Sequence, residues 1–229
     1  MIDLHAHILF GVDDGAPDLN ESIKMLESAA NAGIHSVCLT PHVSPYRRNL
    51  STQEEIQKAF EILKDKINEQ HIDISLFLGA EIDEHESILK TLEHGHTLNN
   101  SKYVLVDFSR RDIDISEMVY ELRIHGYKVV IAHPERTKFF NIELLKQLKR
   151  EGALLQVSSP NLTGNIYRKV CKRARLLLKE DLIDVVASDA HSATDVSSMK
   201  SAYHYVVKKK GLRTAEKLFI ENPRKIIGI

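Results

Sequence analysis

Short apolar runs of strand length alternate with amphipathic segments along the whole chain. Several runs are continuous stretches of β-branched and aliphatic residues, as at residues 129–131 and 183–186, which is typical of strands that are buried on both faces. The pattern predicts seven strands, which cover residues 2–7, 36–40, 74–79, 103–107, 128–132, 153–157 and 183–187.

The segments between these runs show helical periodicity and helix-boundary signals. Residues 18–32 begin with an acidic turn and end before Gly33. Thr52 and Glu55 have the spacing of a capping box at the start of a longer helix, whose apolar positions recur at helical spacing as far as Ile67. Further helices are predicted over residues 116–125, 142–151 and 167–178, followed by a C-terminal pair from about residue 199.

The order of strands and helices predicts an α/β fold with a parallel sheet and right-handed crossovers. A chain of 229 residues could close this sheet into a small (β/α) barrel or leave it as an open, doubly wound sheet. Proline is sparse and no Ser/Gly-rich linker occurs, so we expect one domain over residues 1–229. The placement of polar residues favours the barrel, because chemistry in a barrel gathers at the C-terminal ends of several strands.

Six of the seven predicted strands have histidines or carboxylates at their C-terminal ends, and only the sixth, which runs into Ser158, does not. The first run contains His5 and His7, and residues two apart in a strand point to the same side. Their two imidazoles are therefore expected to face one spot. The residues that share the strand-end position are His5, His7, Asp14, His42, Glu81, Asp107, His133, Asp189 and His191.

A second His-x-His pair lacks a strand to orient it. His94 and His96 follow a polar helix beside a predicted turn, and we interpret them as surface residues. The other histidines in helices or connections receive the same interpretation, and they are His35, His71, His85, His125 and His204.

The strand-end residues are five imidazoles and four carboxylates, more than the three or four protein ligands of one zinc site. A mixed set of this size suits two or three divalent ions, and the lack of thiolates favours manganese, iron or zinc over a soft metal. Three ions carry about +6, and four carboxylates with a bridging hydroxide remove about five charges. The remaining charge suits an anionic substrate such as phosphate.

The overall charge and the cysteine content limit which partners and which cellular compartment we expect for this protein. Lys+Arg 31 and Asp+Glu 32 nearly cancel, which predicts neither a nucleic-acid partner nor attraction to an anionic membrane. The two cysteines, Cys38 and Cys171, exclude a disulfide scaffold, and neither belongs to a Cys-x5-Arg phosphate loop. With no signal segment and no apolar run of roughly 20 residues, we expect a soluble, cytoplasmic protein without direct membrane insertion.

Six segments carry specific motifs, among them His-Pro-Glu-Arg and Ser-Asp-Ala-His. They are residues 1–7, 11–15, 39–42, 79–81, 131–136 and 187–191. These segments closely resemble the polymerase-and-histidinol-phosphatase (PHP) superfamily, and within it the bacterial manganese-dependent protein-tyrosine phosphatases of capsule and exopolysaccharide operons. The resemblance implies a distorted (β/α)7 barrel of the TIM-like type with a trinuclear metal site, in which manganese is the expected ion.

The same resemblance implies a role for each strand-end residue. The first metal would be held by His5, His7, Glu81 and Asp189, the second by Glu81, Asp107 and His133 with Glu81 bridging, and the third by Asp14, His42 and His191. Arg136 would contact the phosphate, because a planar guanidinium suits bidentate contact with it. We expect Arg136, Asp189 and His191 to act in catalysis.

Two positions depart from the family pattern. Asp107 stands where the family usually has glutamate, so the second metal would meet a side chain that is one methylene shorter. No arginine follows His191 within the next several residues, where the family typically has one. A second contact with substrate would then come from the loop arginines Arg47, Arg48, Arg110 and Arg111.

The resemblance implies hydrolysis of a phosphomonoester, on the phosphotyrosine tail of a membrane-associated tyrosine autokinase that controls polysaccharide export. A phenol, with a pKa of about 10, leaves more readily than an alcohol, which favours aryl phosphates at a site without a strong general acid. Three alternatives stay open: a histidinol-phosphatase-like or other small-molecule phosphoesterase, an amidohydrolase-like enzyme for C–N bonds, and a metal-bound regulator without turnover. Asp107 argues against the amidohydrolase, which often has a modified lysine at that strand end.

Overall fold

A computed structural model describes residues 1–48, 50–110, 115–165 and 168–229. Each of the seven predicted runs contains a strand, and the described residues also include two short strands that the runs do not cover. In chain order the strands are β1 (Ile2–Ala6), β2 (Ser36–Leu39), β3 (His42–Val43), β4 (Ser75–Leu78), β5 (Glu81–Asp83), β6 (Tyr103–Asp107), β7 (Lys128–Ile131), β8 (Leu154–Ser158) and β9 (Val185–Ala187).

The two short strands, β3 and β5, continue the second and third runs after a break. β2 ends before Pro41 and β4 ends before Gly79, and the chain then returns to extended structure. Proline has no N–H to give to a strand ladder, so it interrupts the pairing at this point. β3 and β5 pair in parallel with His42 opposite Glu81. The breaks therefore place these two predicted site residues on a separate section of sheet.

All strand pairs are parallel, in the order β1–β2–β4 in one sheet and β3–β5–β6–β7–β8–β9 in the other. The two sheets are joined by the interrupted runs, because β2 and β4 belong to the first sheet and their continuations, β3 and β5, belong to the second. The ring closes between β9 and β1, where Ala6 and Ala190 form a bridge. Backbone hydrogen bonds run there from His7 N to Ala190 O (2.9 Å) and from Asp189 N to His5 O (2.8 Å). The fold is thus a distorted parallel barrel, and the open sheet is excluded.

A bulge in β1 orients the first predicted histidine. The register with β2 shifts between Asp3 and Ala6, so β1 has one more residue than its partner there. Leu4 belongs to the apolar cluster that fills the barrel, and the next residue, His5, contacts Gln156 across the barrel interior. Strict alternation along the strand would have placed these two neighbours on opposite faces.

Helices surround the barrel in the described part of the chain. They are α1 (Leu19–Asn31), α2 (Gln53–Glu69), α3 (Ile88–Glu93), α4 (Ile115–Ile124), α5 (Ile142–Arg150), α6 (Ser159–Thr163), α7 (Lys169–Lys179), α8 (Ala193–Lys210), α9 (Leu212–Glu216) and α10 (Asn222–Ile227). Outward-facing strand residues such as Val106 and Val157 share one buried cluster with Leu26 and Leu63 of the helices. Most of the strands are therefore buried on both faces, as their continuous apolar runs predict, whereas β4 is only partly buried.

The helix boundaries confirm most of the sequence signals. Thr52 and Glu55 form the predicted capping box: Thr52 Oγ1 accepts from Glu55 N (3.3 Å), and Glu55 Oε2 accepts from Thr52 N (2.8 Å). α8 begins earlier than residue 199, because Ser192 caps it by accepting from Asp195 N. The predicted helix over residues 167–178 corresponds to α7, and Tyr167 lies outside the described residues. None of the described helices is long and apolar enough to cross a membrane.

Candidate metal centre

The structure brings all nine strand-end residues together at the C-terminal mouth of the barrel. A cavity of about 260 Å³ opens there, and His5 and His7 lie buried beneath it. Its lining consists of Asp14, His42, Arg47, Glu81, Asp107, Ser109, Arg110, His133, Arg136, Asp189 and His191. The predicted convergence is thus found in the geometry, while the role of these side chains as metal ligands stays a prediction.

Glu81 lies at the centre of the cluster. Its Oε2 is 3.4 Å from His5 Nε2, 3.3 Å from His7 Nε2 and 2.9 Å from His42 Nδ1. Its Oε1 is 2.8 Å from His133 Nε2. Burial opposes the charged carboxylate, but the surrounding imidazoles, His5 foremost, hold the pKa of Glu81 well below its usual range. One carboxylate therefore touches four of the five clustered imidazoles, which is the arrangement that a bridging ligand requires.

The donor atoms fall into overlapping groups in which all members lie within 4.8 Å of one another. The groups are His7, Asp14, His42 and His191; His5, His7 and Glu81; His5, His133 and Asp189; and Glu81, Asp107 and His133. Nδ1 of His133 is buried and has no hydrogen-bond partner; its nearest carboxylate oxygen, Asp107 Oδ1, is 3.9 Å away. Buried ring nitrogens of this kind are costly unless something satisfies them, and a cation does so. The residues present fit divalent ions.

The imidazoles also show how the cluster balances its charge. Burial opposes the imidazolium form of both His7 and His133. Hydrogen bonds that His7 donates to Asp13 and Glu81 nevertheless raise the pKa of His7 to about 10, and the bond that His133 donates to Glu81 raises the pKa of His133 to about 9. A metal ligand must be a neutral imidazole, so cation binding at these groups displaces protons. Protons and cations therefore compete for the same donors.

Two of the nine residues adopt backbone conformations that are rare outside glycine. His133 has φ 28° and Asp189 has φ 53°. Each follows the end of a barrel strand, β7 and β9 respectively. Such positive φ values cost free energy and persist where surrounding contacts enforce them, often at functional sites. The strain turns both side chains toward the shared cavity at the point where their strands end.

Asp107, the departure from the family pattern, is held back from the cluster. Its Oδ1 accepts from Ser109 N (2.7 Å) and its Oδ2 accepts from Ser109 Oγ (2.9 Å). The nearest approach to His133 is 3.9 Å, from Oδ1 to Nδ1. Both oxygens of the shorter side chain are thus engaged by its own loop, in keeping with a weaker second metal position.

Asp13 supports the centre, and the sequence interpretation did not single it out. Its Oδ2 lies 2.7 Å from His7 Nδ1 and accepts from His42 N (3.1 Å), and its Oδ1 accepts from Gly15 N (2.9 Å). Burial disfavours its charge, yet the bond to His7 lowers the pKa of Asp13 to about 2. A carboxylate on the far nitrogen fixes the orientation of a ligating imidazole. The only sequence signal was its place beside Asp14.

Replacing Asp13 by asparagine keeps the shape of the side chain and removes its charge. We expect Asp13→Asn to weaken manganese affinity by about 10- to 100-fold, because the His7 imidazole loses its carboxylate partner. Calorimetric titration of metal into metal-free protein measures this. Asp18→Asn is the matched control, since Asp18 caps α1 by accepting from Glu21 N (3.0 Å) and asparagine caps equally well. Unchanged affinity in Asp13→Asn would remove Asp13 from the site.

β8, the strand whose end carries no predicted ligand, contributes supporting contacts instead. Gln156 Oε1 lies 3.0 Å from His5 Nδ1 and accepts from His133 N (3.3 Å). Ser158 Oγ donates to Asp189 Oδ2 (3.1 Å). A glutamine inside a strand has no sequence signature that separates it from any other buried polar residue, so its role emerges only from the fold.

The predicted arginines differ in where they lie. Arg136 Nη2 pairs with Asp189 Oδ2, and Arg47 Nη1 pairs with Asp14 Oδ2 at 2.9 Å. Arg110 also lines the cavity, and its Nε lies 2.6 Å from Asp83 Oδ2. Arg48 is exposed and is not among the lining residues, and Arg111 lies outside the described residues.

The histidines given a structural interpretation stay outside the donor groups of the described residues. The surface interpretation is wrong for His85, which is buried because its ring bonds to its own loop, with Nδ1 2.8 Å from Asp83 O and Nε2 2.9 Å from Thr91 Oγ1. His94 is exposed, as predicted, but the surface interpretation of His96 is only half right. His96 is half-buried, and its burial lowers its pKa.

Comparison with known proteins places the chain in a family. A sequence profile of the family described as "Capsular polysaccharide synthesis, CpsB/CapC" matches residues 1–228. The chain belongs to this family. Within it, the tyrosine-protein phosphatase CpsB of Streptococcus pneumoniae is 34% identical over 241 aligned residues, which cover 99% of this chain and 98% of the relative. The resemblance carried by the motifs is therefore confirmed along nearly the whole chain.

Solved structures confirm the fold. One study describes YwqE from Bacillus subtilis and CpsB from Streptococcus pneumoniae as "unique metal-dependent tyrosine phosphatases". A structure from it matches with a TM-score of 0.89 at 29% identity, covering 100% of this chain and 94% of that chain. Histidinol phosphate phosphatase HisK from Lactococcus lactis matches with a TM-score of 0.56 at 12% identity, covering 95% and 94%. At that identity the second match shows the fold alone, which is the predicted TIM-like PHP barrel.

Proposed function

We propose that this protein is a metal-dependent protein-tyrosine phosphatase that removes phosphate from the tyrosine-rich tail of a membrane-associated autokinase and so regulates capsular or exopolysaccharide synthesis. The observation that carries the proposal is the convergence of nine imidazole and carboxylate side chains, with Arg136, on one cavity. The similarity to YwqE and CpsB supports the choice of substrate class.

The family resemblance supplies the residues that would hold the ions. His5, His7, Glu81 and Asp189 would hold the first, Glu81, Asp107 and His133 the second, and Asp14, His42 and His191 the third, with manganese as the preferred ion. The second set is itself a donor group and the third falls within one, which supports the division, whereas Asp189 groups with His5 and His133. Divalent ions bound there supply Lewis-acid charge and lower the pKa of water toward neutrality. A donor set of nitrogen and oxygen without thiolate supports manganese, iron or zinc.

The chain's own groups would bind and orient the phosphate. Arg136 is partly exposed at the cavity while its Nη2 contacts Asp189, so its guanidinium borders both the cavity and the donor cluster. A guanidinium beside the phosphoryl oxygens stabilises the charge that develops on them during transfer. Ser158 bonds to Asp189 from the other side and keeps that carboxylate fixed. These contacts support Arg136 and Asp189 as members of the catalytic set, to which the family resemblance adds His191.

The setting of the proposed reaction follows from its substrate. A kinase takes phosphate from intracellular ATP, so we place the phosphatase in the cytoplasm, acting without nucleic acid and without inserting into the membrane itself. The two cysteines are free and buried, in keeping with a reducing compartment. We further propose that residues 1–229 form one domain.

A substrate panel tests the proposal. On manganese-loaded protein, we expect kcat/KM for a phosphotyrosine peptide to exceed that for a phosphoserine peptide and for histidinol phosphate by at least about 100-fold, because phenolate is the better leaving group. Treatment with a chelator should abolish turnover, and added manganese should restore it.

Every other outcome of this substrate panel supports one of the alternative functions. Equal rates on aryl and alkyl phosphates contradict the tyrosine-phosphatase assignment, and a preference for histidinol phosphate replaces it with the small-molecule alternative. Turnover that is absent with and without metal supports a regulator that binds metal without catalysis.

A further inference from the structure

Asp83 is a fully buried carboxylate that contacts two arginines at the cavity. It ends β5, two residues after Glu81. Its Oδ2 lies 2.6 Å from Arg110 Nε and 3.4 Å from Arg47 Nε. Its Oδ1 is buried and has no hydrogen-bond partner. A buried carboxylate with only one oxygen satisfied costs free energy. The contact of Oδ2 with the two arginines offsets this cost.

The two arginines come from different loops, and both contact this carboxylate. Arg47 follows β3 and Arg110 follows β6. Arg47 also pairs with Asp14, whose own charge faces the imidazoles of His42 and His191 at 3.2 and 3.4 Å. Within the pair itself, two guanidiniums share one Asp83 carboxylate. Because Asp83 is shared, it balances only part of the charge of Arg110.

Asp83, the carboxylate that the two arginines share, lies nearer the rim than Glu81 does. Along β5, Glu81 pairs in register with Leu105 and Asp83 with Asp107, so Asp83 is two residues closer to the mouth. Two residues of a strand span about 6.6 Å. Arg136 contacts Asp189 and Arg47 contacts Asp14, which both belong to the donor cluster, whereas the Nε of Arg110 contacts Asp83. The arginine pair thus extends from the donors toward the rim.

We propose that Arg47 and Arg110, positioned by Asp83, form a specificity element that binds an acidic side chain next to the phosphotyrosine of a peptide substrate. This inference rests on the proposed function. When the phosphate lies among the inner donors, the tyrosine ring separates it from the peptide backbone, and the backbone then reaches the rim. A guanidinium has a planar fork of donors that matches a carboxylate, and the Nε contact with Asp83 uses only one of the five N–H groups of Arg110.

The test compares peptides that differ only beside the phosphotyrosine. Two phosphotyrosine peptides carry either glutamates or glutamines at the flanking positions, and kcat/KM is measured for each. The wild-type protein should prefer the acidic peptide by about tenfold, mainly through KM, and the preference should shrink at high salt. Arg110→Gln should reduce the ratio to near one. Arg150→Gln, which removes an exposed arginine at the end of α5, should leave the ratio unchanged.

Asp83→Asn tests the positioning role separately. The variant keeps both arginines but loses the charge that aligns them, so the ratio should fall while the total charge of the mouth becomes more positive. A general electrostatic attraction would instead raise the ratio. If Asp83→Asn does not fold, as judged by its thermal transition, Arg110→Gln alone decides the matter.

Binding separates this inference from the proposed function. The same two peptides are made with a non-hydrolysable phosphonate in place of the phosphate, and their dissociation constants are measured by fluorescence anisotropy. Tighter binding of the acidic peptide that depends on Arg110 supports the element even if turnover fails. Equal binding of both peptides overturns it, and so does an Arg110→Gln variant that weakens both peptides equally, which would mean that Arg110 contacts the phosphate itself.

Discussion

Glu81→Gln should reduce kcat/KM on a phosphotyrosine peptide by roughly a thousandfold or more, the largest loss expected for any single side chain in this protein. Glu81 contacts His5, His7, His42 and His133, and no other carboxylate of the described cluster reaches as many imidazoles. Glutamine keeps the size but offers one neutral acceptor, so the four imidazoles lose the charge they share. We expect manganese affinity to fall together with activity.

The measurement for Glu81→Gln combines metal content per chain, determined by elemental analysis, with steady-state kinetics at saturating manganese. Glu93→Gln is the control, because Glu93 is an exposed residue at the end of α3. A variant that binds its full complement of metal and turns over normally would show that Glu81 is a structural partner of the histidines and not a ligand.

Gly15→Ala should disable the site without touching any predicted ligand. A Cβ at residue 15 would lie 2.0 Å from His7 O and 2.6 Å from His7 Cβ, so the loop cannot keep its position. Displacing it moves both Asp13, which orients His7, and Asp14. We expect an overpacking cost of about 3 kcal/mol, a melting temperature lower by roughly 5–10 °C, and loss of most metal affinity.

The melting temperature, with and without manganese, measures the effect of Gly15→Ala. Gly33→Ala is the control at the end of α1, where φ is +81° but no atom lies within 4 Å of the added Cβ. Its cost should be about 1 kcal/mol of backbone strain, with metal stabilisation intact. If manganese stabilises Gly15→Ala as strongly as it stabilises the wild type, the contact with His7 is not what holds the loop.

The sequence was sufficient to predict the strands, the closed barrel and the convergence of nine side chains, because strand ends in a parallel barrel meet at one mouth. Local patterns carry that information directly. The runs stop at Pro41 and Gly79, however, and the two-residue and three-residue strands beyond them have too little pattern to detect. The sequence therefore placed His42 and Glu81 after strands, whereas the structure places them in strands of their own.

The supporting residues could not be predicted, and the reason is physical. Asp13, Asp83 and Gln156 act through contacts with His42, Arg110 and His5 respectively, which lie far along the chain or across the barrel, and nothing in their local sequence selects these partners. The bulge in β1 is a similar case, since it depends on the register with β2. The side chains that recur at the ends of successive strands were predicted. The side chains whose role depends on particular tertiary contacts were not.

The seam between β1 and β9 sets the point in synthesis at which the barrel can close. Asp3 Oδ1 accepts from Ser188 N across 185 residues of chain, and Asp189 N donates to His5 O beside it. β1 therefore acquires its neighbour across the seam only after β9, the last of the described strands, has been made. Until then the early histidines have no Asp189 or His191 to complete their clusters. The donor set that the proposed metal centre needs is thus complete only once the chain has been extended to His191.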